Sequence, residues 1–163
     1  GYYHLPVPRE DVLFLSTWEE VMACQEQMLQ PGQVVGIDME WRPSFSTIEG
    51  KPQVSVVQLA IWGHVFLLDM FQLLRQGDQE VQAALCAFFQ SLLGNPAILK
   101  LGYGMSEDLR NLMTTCGISG DANLQFCGIL DLQLVHQKLP KRSKKSCQPA
   151  LDPRPAKKKA GGS

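Results

Sequence analysis

The apolar positions of this chain change period several times, and each change marks an element. "TWEEVMACQEQML" sets Trp18, Val21, Met22 and Met28/Leu29 near helical spacing, with acids in its first turn. The pattern predicts a helix over 17–29 capped by Ser16. "PGQ" at 31–33 ends it. The β-branched run "VVGIDMEW" then reads as a first central strand over 34–40, and "QVSVVQLAI" as a second over 54–61, joined by the loop "RPSFSTIEGKP". "WGH" turns the chain into "VFLLD", an adjacent antiparallel strand. Helical spacing returns in "DQEVQAALCAFFQSLL" (78–93) and stops at "GNP". "AILKL" (97–101) is a short buried strand, "GYGMSEDLRNLMTTCG" a loop and helix, and "CGILDLQLVHQKL" a strand and helix. Three antiparallel-compatible strands followed by β-α-β-α units predict a mixed α/β sheet with flanking helices.

From about Lys138 the periodicity fails. "PKRSKKSCQPALDPRPAKKKAGGS" holds four prolines and two basic clusters, and reads as a disordered basic tail over 138–163 after a domain over 1–137. Charge divides at the same place. Residues 1–137 carry 6 Lys/Arg against 15 Asp/Glu, a balance of −9, and residues 138–163 carry 9 against Asp152 alone, a balance of +8. The tail suits a nuclear-localisation-like signal or sequence-blind phosphate contact. A solvated polyelectrolyte without a dedicated role remains an equal reading. At 163 residues the chain suits one domain. No run approaches the roughly 18 apolar residues of a membrane span, so no membrane partner is expected. The opening "GYYHLPVPRE" has neither a basic nor an apolar signal region. Five cysteines without a C-x-x-C argue against structural zinc or a redox dithiol, and for an intracellular, cytoplasmic or nuclear, location. His64, in the turn, reads as a solvent-facing loop residue.

The chemistry lies where the first strand ends. Residues i and i+2 of a strand share a face, so Asp38 and Glu40 project together. Two nearby carboxylates repel, and a divalent cation removes that penalty. Oxygen-only ligation suits Mg²⁺ or Mn²⁺. D-x-E alone is also what surface charge looks like. A third acid strengthens the pattern: Asp108 follows a buried strand by one short loop, in "LKLGYGMSEDLRNL", where Gly102 and Gly104 permit close backbone approach. Glu107 is displaced by about 100° round the helix, so only one of the two faces inward with Leu109, Leu112 and Met113.

"VVGIDMEWRP", "QVSVVQLAIWGHVFLLD" and "LKLGYGMSEDLRNL" together resemble the DEDD superfamily of 3′–5′ exonucleases, especially its Werner-helicase and Nibbler-like branches, over roughly residues 30–137. The resemblance implies an RNase H-like mixed sheet and two-metal removal of nucleotides from a free 3′ end. It implies that Asp38 bridges two Mg²⁺ or Mn²⁺ ions, Glu40 completes one site and reaches the 3′-hydroxyl, and Asp108 supports the second ion through water. Trp41 and Met39 become candidate substrate-binding residues. The implied partner is single-stranded nucleic acid, RNA favoured over DNA.

One family motif is missing from this sequence: a Tyr or His four residues before a last metal-binding Asp. His136 is followed four places on by Pro140, Tyr103 by Glu107, and the only acid beyond residue 131 is Asp152. Asp131 reads as an N-cap, and Asp69 has the same strand-end character. The expectation is an RNase H-like fold incomplete at its C-terminal helix, with activity much weakened or lost and a protein partner over the truncated edge. A nucleic-acid-binding or protein-interaction module without turnover is the alternative.

Overall fold

The computed structural model describes residues 9–41, 54–75, 77–117 and 126–139. Among these, β1 (Val12–Leu15), β2 (Val34–Trp41), β3 (Val54–Ile61), β4 (His64–Asp69), β5 (Leu99–Gly102) and β6 (Ile129–Asp131) form one sheet. Its order is β1-β4-β3-β2-β5-β6. The helices are α1 (Trp18–Met28), α2 (Met70–Leu74), α3 (Gln79–Leu93), α4 (Met105–Thr115) and α5 (Leu132–Lys138).

The expected antiparallel meander is present: β2 pairs with β3, and β3 with β4. β3 and β4 meet across Trp62–Gly63, where Gly63 takes φ 82°, a turn conformation that suits glycine. β5 adds to β2 in parallel, and β6 to β5. Three details depart from the pattern-based expectation. β1 and α2 were not predicted, being four and five residues long, too short for a period to show. The cap of α1 is Thr17 rather than Ser16, because Thr17 Oγ1 accepts from Glu20 N at 3.3 Å while Ser16 N donates to Glu20 Oε1 at 3.4 Å. Ser16 and Thr17 each have a glutamate three residues on, so this capping box could not be placed by spacing. His64 is no loop residue: it opens β4 opposite Ile61, with Nδ1 3.9 Å from Asp11 Oδ1.

One face of the sheet carries the core. Val35, Ile37 and Met39 of β2, Val57 and Leu59 of β3, and Phe66 and Leu68 of β4 pack with apolar residues of α1, α3 and α4. α5 buries none of its side chains, and Leu132, Leu134 and Leu139 stand exposed around it. Among the described residues no helix is long and apolar enough to cross a membrane. The loop over 42–53 and the basic tail beyond residue 139 lie outside the described residues.

Candidate active site

Alternation along β2 sorts its side chains. Val35, Ile37 and Met39 enter the core, so Asp38 and Glu40 face the other way, and both are exposed. Asp38 Oδ1 accepts from Met39 N at 2.9 Å, which orients its carboxylate. Across the sheet Asp38 is in register with Gln58 and then Leu67, and Glu40 with Val56 and then Asp69. With Phe14 of β1 these residues line one open groove. A second depression, lined in part by Ile37, Gly102, Tyr103 and Leu132, lies on the other side of Asp38. Asp38 belongs to both.

β2 is not flanked along its whole length. β5 pairs only with Val34–Gly36, whereas β3 pairs from Gly36 to Trp41. Among the described residues no strand pairs with the β5 side of β2 from Ile37 onward, and there the chain leaves Gly102 for α4. Two contacts fix the ends of α4. At its start, a β-carbon on Gly102 would stand 3.1 Å from the Ile37 carbonyl oxygen and collide with the Met105 side chain. At its end, Thr115 Oγ1 accepts from Val54 N at 3.3 Å, and Val54 lies opposite Trp41. α4 therefore starts on the β5 side of β2 and ends at β3, with Leu109, Leu112 and Met113 packed into the core. Asp108, about 4.5 Å along the axis from Met105, falls within that span. Asp108 is half-buried and Glu107 exposed, the division that helical geometry predicts.

The register slips where β2 ends. Glu40 faces Val56 but Trp41 faces Val54, so Ser55 is an extra residue on β3. Its Oγ donates to the Glu40 carbonyl at 3.3 Å, pinning the bulge directly after the acids.

Residues 15–148 match the model of a 3′–5′ exonuclease family. The chain belongs to that family. It is 42% identical over 138 residues to the human exonuclease mut-7 homolog, covering 85% of this chain but 16% of that protein. The exonuclease domain of Aedes aegypti Nibbler has the same fold, with TM-score 0.62 at 22% identity over 83% of this chain and 59% of that one. The EXD2 exonuclease domain, solved with Mn and GMP, gives 0.57 at 26% identity over 78% of this chain and 58% of that one. The chain thus spans a sixth of the human relative and under two thirds of either solved domain. Its mixed sheet with flanking helices is the RNase H-like architecture of these exonucleases.

Of the residues the exonuclease motifs single out, the structure brings Asp38 and Glu40 to one groove, whereas Asp108 lies in the first turn of α4, a helix that packs into the core and starts near Ile37 of the same strand. It does not close a three-ligand cluster: among the described residues no three His, Cys, Asp or Glu side chains gather closely enough to hold an ion. The exposed carboxylate pair has the hard-oxygen chemistry that Mg²⁺ or Mn²⁺ requires. Met39 is a core residue, 7% exposed, because alternation turns it away from its acidic neighbours; as a substrate contact it is corrected. The Trp41 side chain lies outside the described set. Asp69 faces the groove but sits about 10 Å from Glu40 across two strand spacings. Its Oδ1 accepts from Gln72 N at 3.0 Å, so it caps α2.

Asp131 is a cap, as its position implies, but it serves two helices. Oδ1 accepts from Gln133 N at 3.0 Å, at the start of α5, and from Gly104 N at 2.9 Å. Oδ2 accepts from Met105 N at 2.9 Å, at the start of α4. Partial burial opposes ionisation, but the amides of Met105, Gly104 and Gln133 outweigh it and hold the carboxyl below its ordinary value of 3.8. A lowered folded-state pKa gives stability that is complete above the unfolded value and lost as pH falls through the folded one. Thermal melting should therefore show Asp131 stabilising the fold above about pH 4. That increment should shrink below this pH and be missing from Asp131→Asn, flattening the acid limb of its pH–stability curve.

Proposed function

We propose that this chain is a divalent-metal-dependent exonuclease domain that shortens single-stranded nucleic acid from its 3′ end, RNA ahead of DNA. The supporting observation is the shared face of Asp38 and Glu40 on β2, beyond the stretch that β5 pairs, with α4 starting near the Ile37 carbonyl between Gly36 and Asp38. Two hard cations there would supply a nucleophilic hydroxide and neutralise charge on the leaving oxygen. The protein's part is to hold them: Asp38 as the ligand shared between the two, Glu40 at one of them and near the terminal 3′-hydroxyl, Asp108 toward the other through water. The EXD2 exonuclease domain has been solved with Mn or Mg and with GMP or dGMP, nucleoside monophosphates of the kind such cleavage releases. The preference for RNA rests on the likeness of the three sequence blocks to small-RNA trimming enzymes. Free thiols at Cys24, Cys86, Cys116 and Cys127 agree with a reducing, intracellular setting, cytoplasmic or nuclear.

The deciding experiment is incubation of 5′-labelled RNA and DNA oligonucleotides with the full chain and Mn²⁺. Progressive shortening, faster on RNA and stopped by a chelator or a blocked 3′ end, is expected. A label that keeps its full length under all conditions removes the reading for this chain. Mn²⁺ at a hundred times its Kd should also raise the apparent stability by about 2.7 kcal/mol, seen as a higher Tm.

A second reading is favoured by the absence of a closed three-acid cluster among the described residues. It is a module that binds nucleic acid without turnover, with a protein partner over the exposed leucines of α5. Binding would then weaken steeply with salt and be carried mainly by residues 138–163. Unchanged affinity after deletion of that segment would contradict it.

A further inference from the structure

The residues facing the groove are not the only ones that set its geometry. α4 starts from Gly104, which has φ 65° and no side chain with which to cap the helix. A helix start without a cap leaves its first amides to water and its first turn free to fray. Here the cap comes from elsewhere in the chain: Asp131, at the end of β6, takes the amides of Gly104 and Met105 with its two oxygens. Asp131 is also in register with Gly102, the last residue of β5, which is seated against the Ile37 carbonyl. One carboxylate thus joins β6, α5 and the first turn of α4. Asp108 lies in that turn, three residues after Met105.

We propose that Asp131 is a positioning residue of the exonuclease site, fixing the first turn of α4 so that Asp108 is held toward the Asp38–Glu40 face. Both of its oxygens are engaged by main-chain amides, so it acts without touching metal or substrate. An amide side chain could not replace it. Gly104 and Met105 each present a donor, and asparagine has one acceptor oxygen with which to meet them. The inference rests on the active-site reading above, and its test separates the two.

The full chain is compared with Asp108→Ala, Asp131→Asn and the double variant, reading the Mn²⁺ concentration that half-saturates binding or cleavage. Melting of the same samples without metal reports structural loss separately. If Asp131 acts through Asp108, Asp131→Asn raises the half-saturating Mn²⁺ by about 10–100-fold, as loss of a group that orients a ligand does. The double variant then needs no more Mn²⁺ than Asp108→Ala alone, because the second change removes support from a side chain already absent. Multiplying effects, or an unchanged Mn²⁺ requirement in Asp131→Asn, overturn the positioning role while leaving the site reading standing. If Asp108→Ala, or the unaltered chain, shows no Mn²⁺ effect, the site reading itself fails and the positioning role falls with it. Should Asp131→Asn not fold, Asp131→Ser carries the same expectations: its hydroxyl can still cap α5 but cannot reach both amides of α4.

Discussion

Replacing the two acids of β2 together, Asp38→Ala with Glu40→Ala, should lower 3′-end cleavage about a thousandfold or more. That corresponds to roughly 4 kcal/mol of transition-state stabilisation. On the proposed reading the size follows from what the pair would supply: the ligands of at least one ion, and the charge that would make a second nearby ion tolerable. The fold should hardly notice. Both side chains are exposed on the face away from the core, and exposed substitutions of this kind change stability by about 0.5 kcal/mol or less. Removing two like charges that share a face leans toward a small gain. The prediction is therefore a split result, activity gone and Tm kept, with the Mn²⁺-dependent rise in Tm lost as well. Cleavage that survives the double change would show the acids to be surface charge.

The second large effect is expected at Gly102, where the fold and the site meet. Gly102→Val should destabilise the protein by about 2–3 kcal/mol and abolish activity, although every acid remains in place. Any β-carbon there meets the Met105 side chain and stands 3.1 Å from the Ile37 carbonyl oxygen. Met105 is buried, 3% exposed, so relieving the clash displaces the start of α4 and Asp108 with it. Gly36→Ala is the matching control. Its added carbon would meet Ala60 Cβ at an ordinary 3.6 Å, so denaturant unfolding should distinguish the two variants clearly. Equal stabilities would mean that α4 is not seated by this contact.

Much of this arrangement was readable along the chain. The meander, α3 and α4 announce themselves because each is long enough to repeat its period. The two acids are legible for the same reason, since a strand that buries Val35, Ile37 and Met39 must present Asp38 and Glu40 together. That alternation also rules out Met39 as a groove residue, a consequence that the family likeness overrode. Other features depend on partners far away in sequence. Asp131 can be read as the cap of the helix it precedes, but its bonds to Gly104 and Met105 reach back 27 and 26 residues and leave no local pattern. Lys100 sits in a run read as a buried strand, yet nothing nearby says that its Nζ is enclosed, donating to the Asn95 carbonyl at 2.7 Å. Burial holds that amine below the ordinary lysine pKa.

β1 has a consequence for how the chain assembles. β3 and β4 meet across a two-residue turn, so their pairing can form early with little loss of chain freedom. β1 must wait, because Val12 finds its partner Val65 only 53 positions later, on a strand that the hairpin has first to create. The outer rim of the sheet should therefore be the last to zip and the first to open, and a protease acting on the native protein should release the segment before α1 while the meander stays whole.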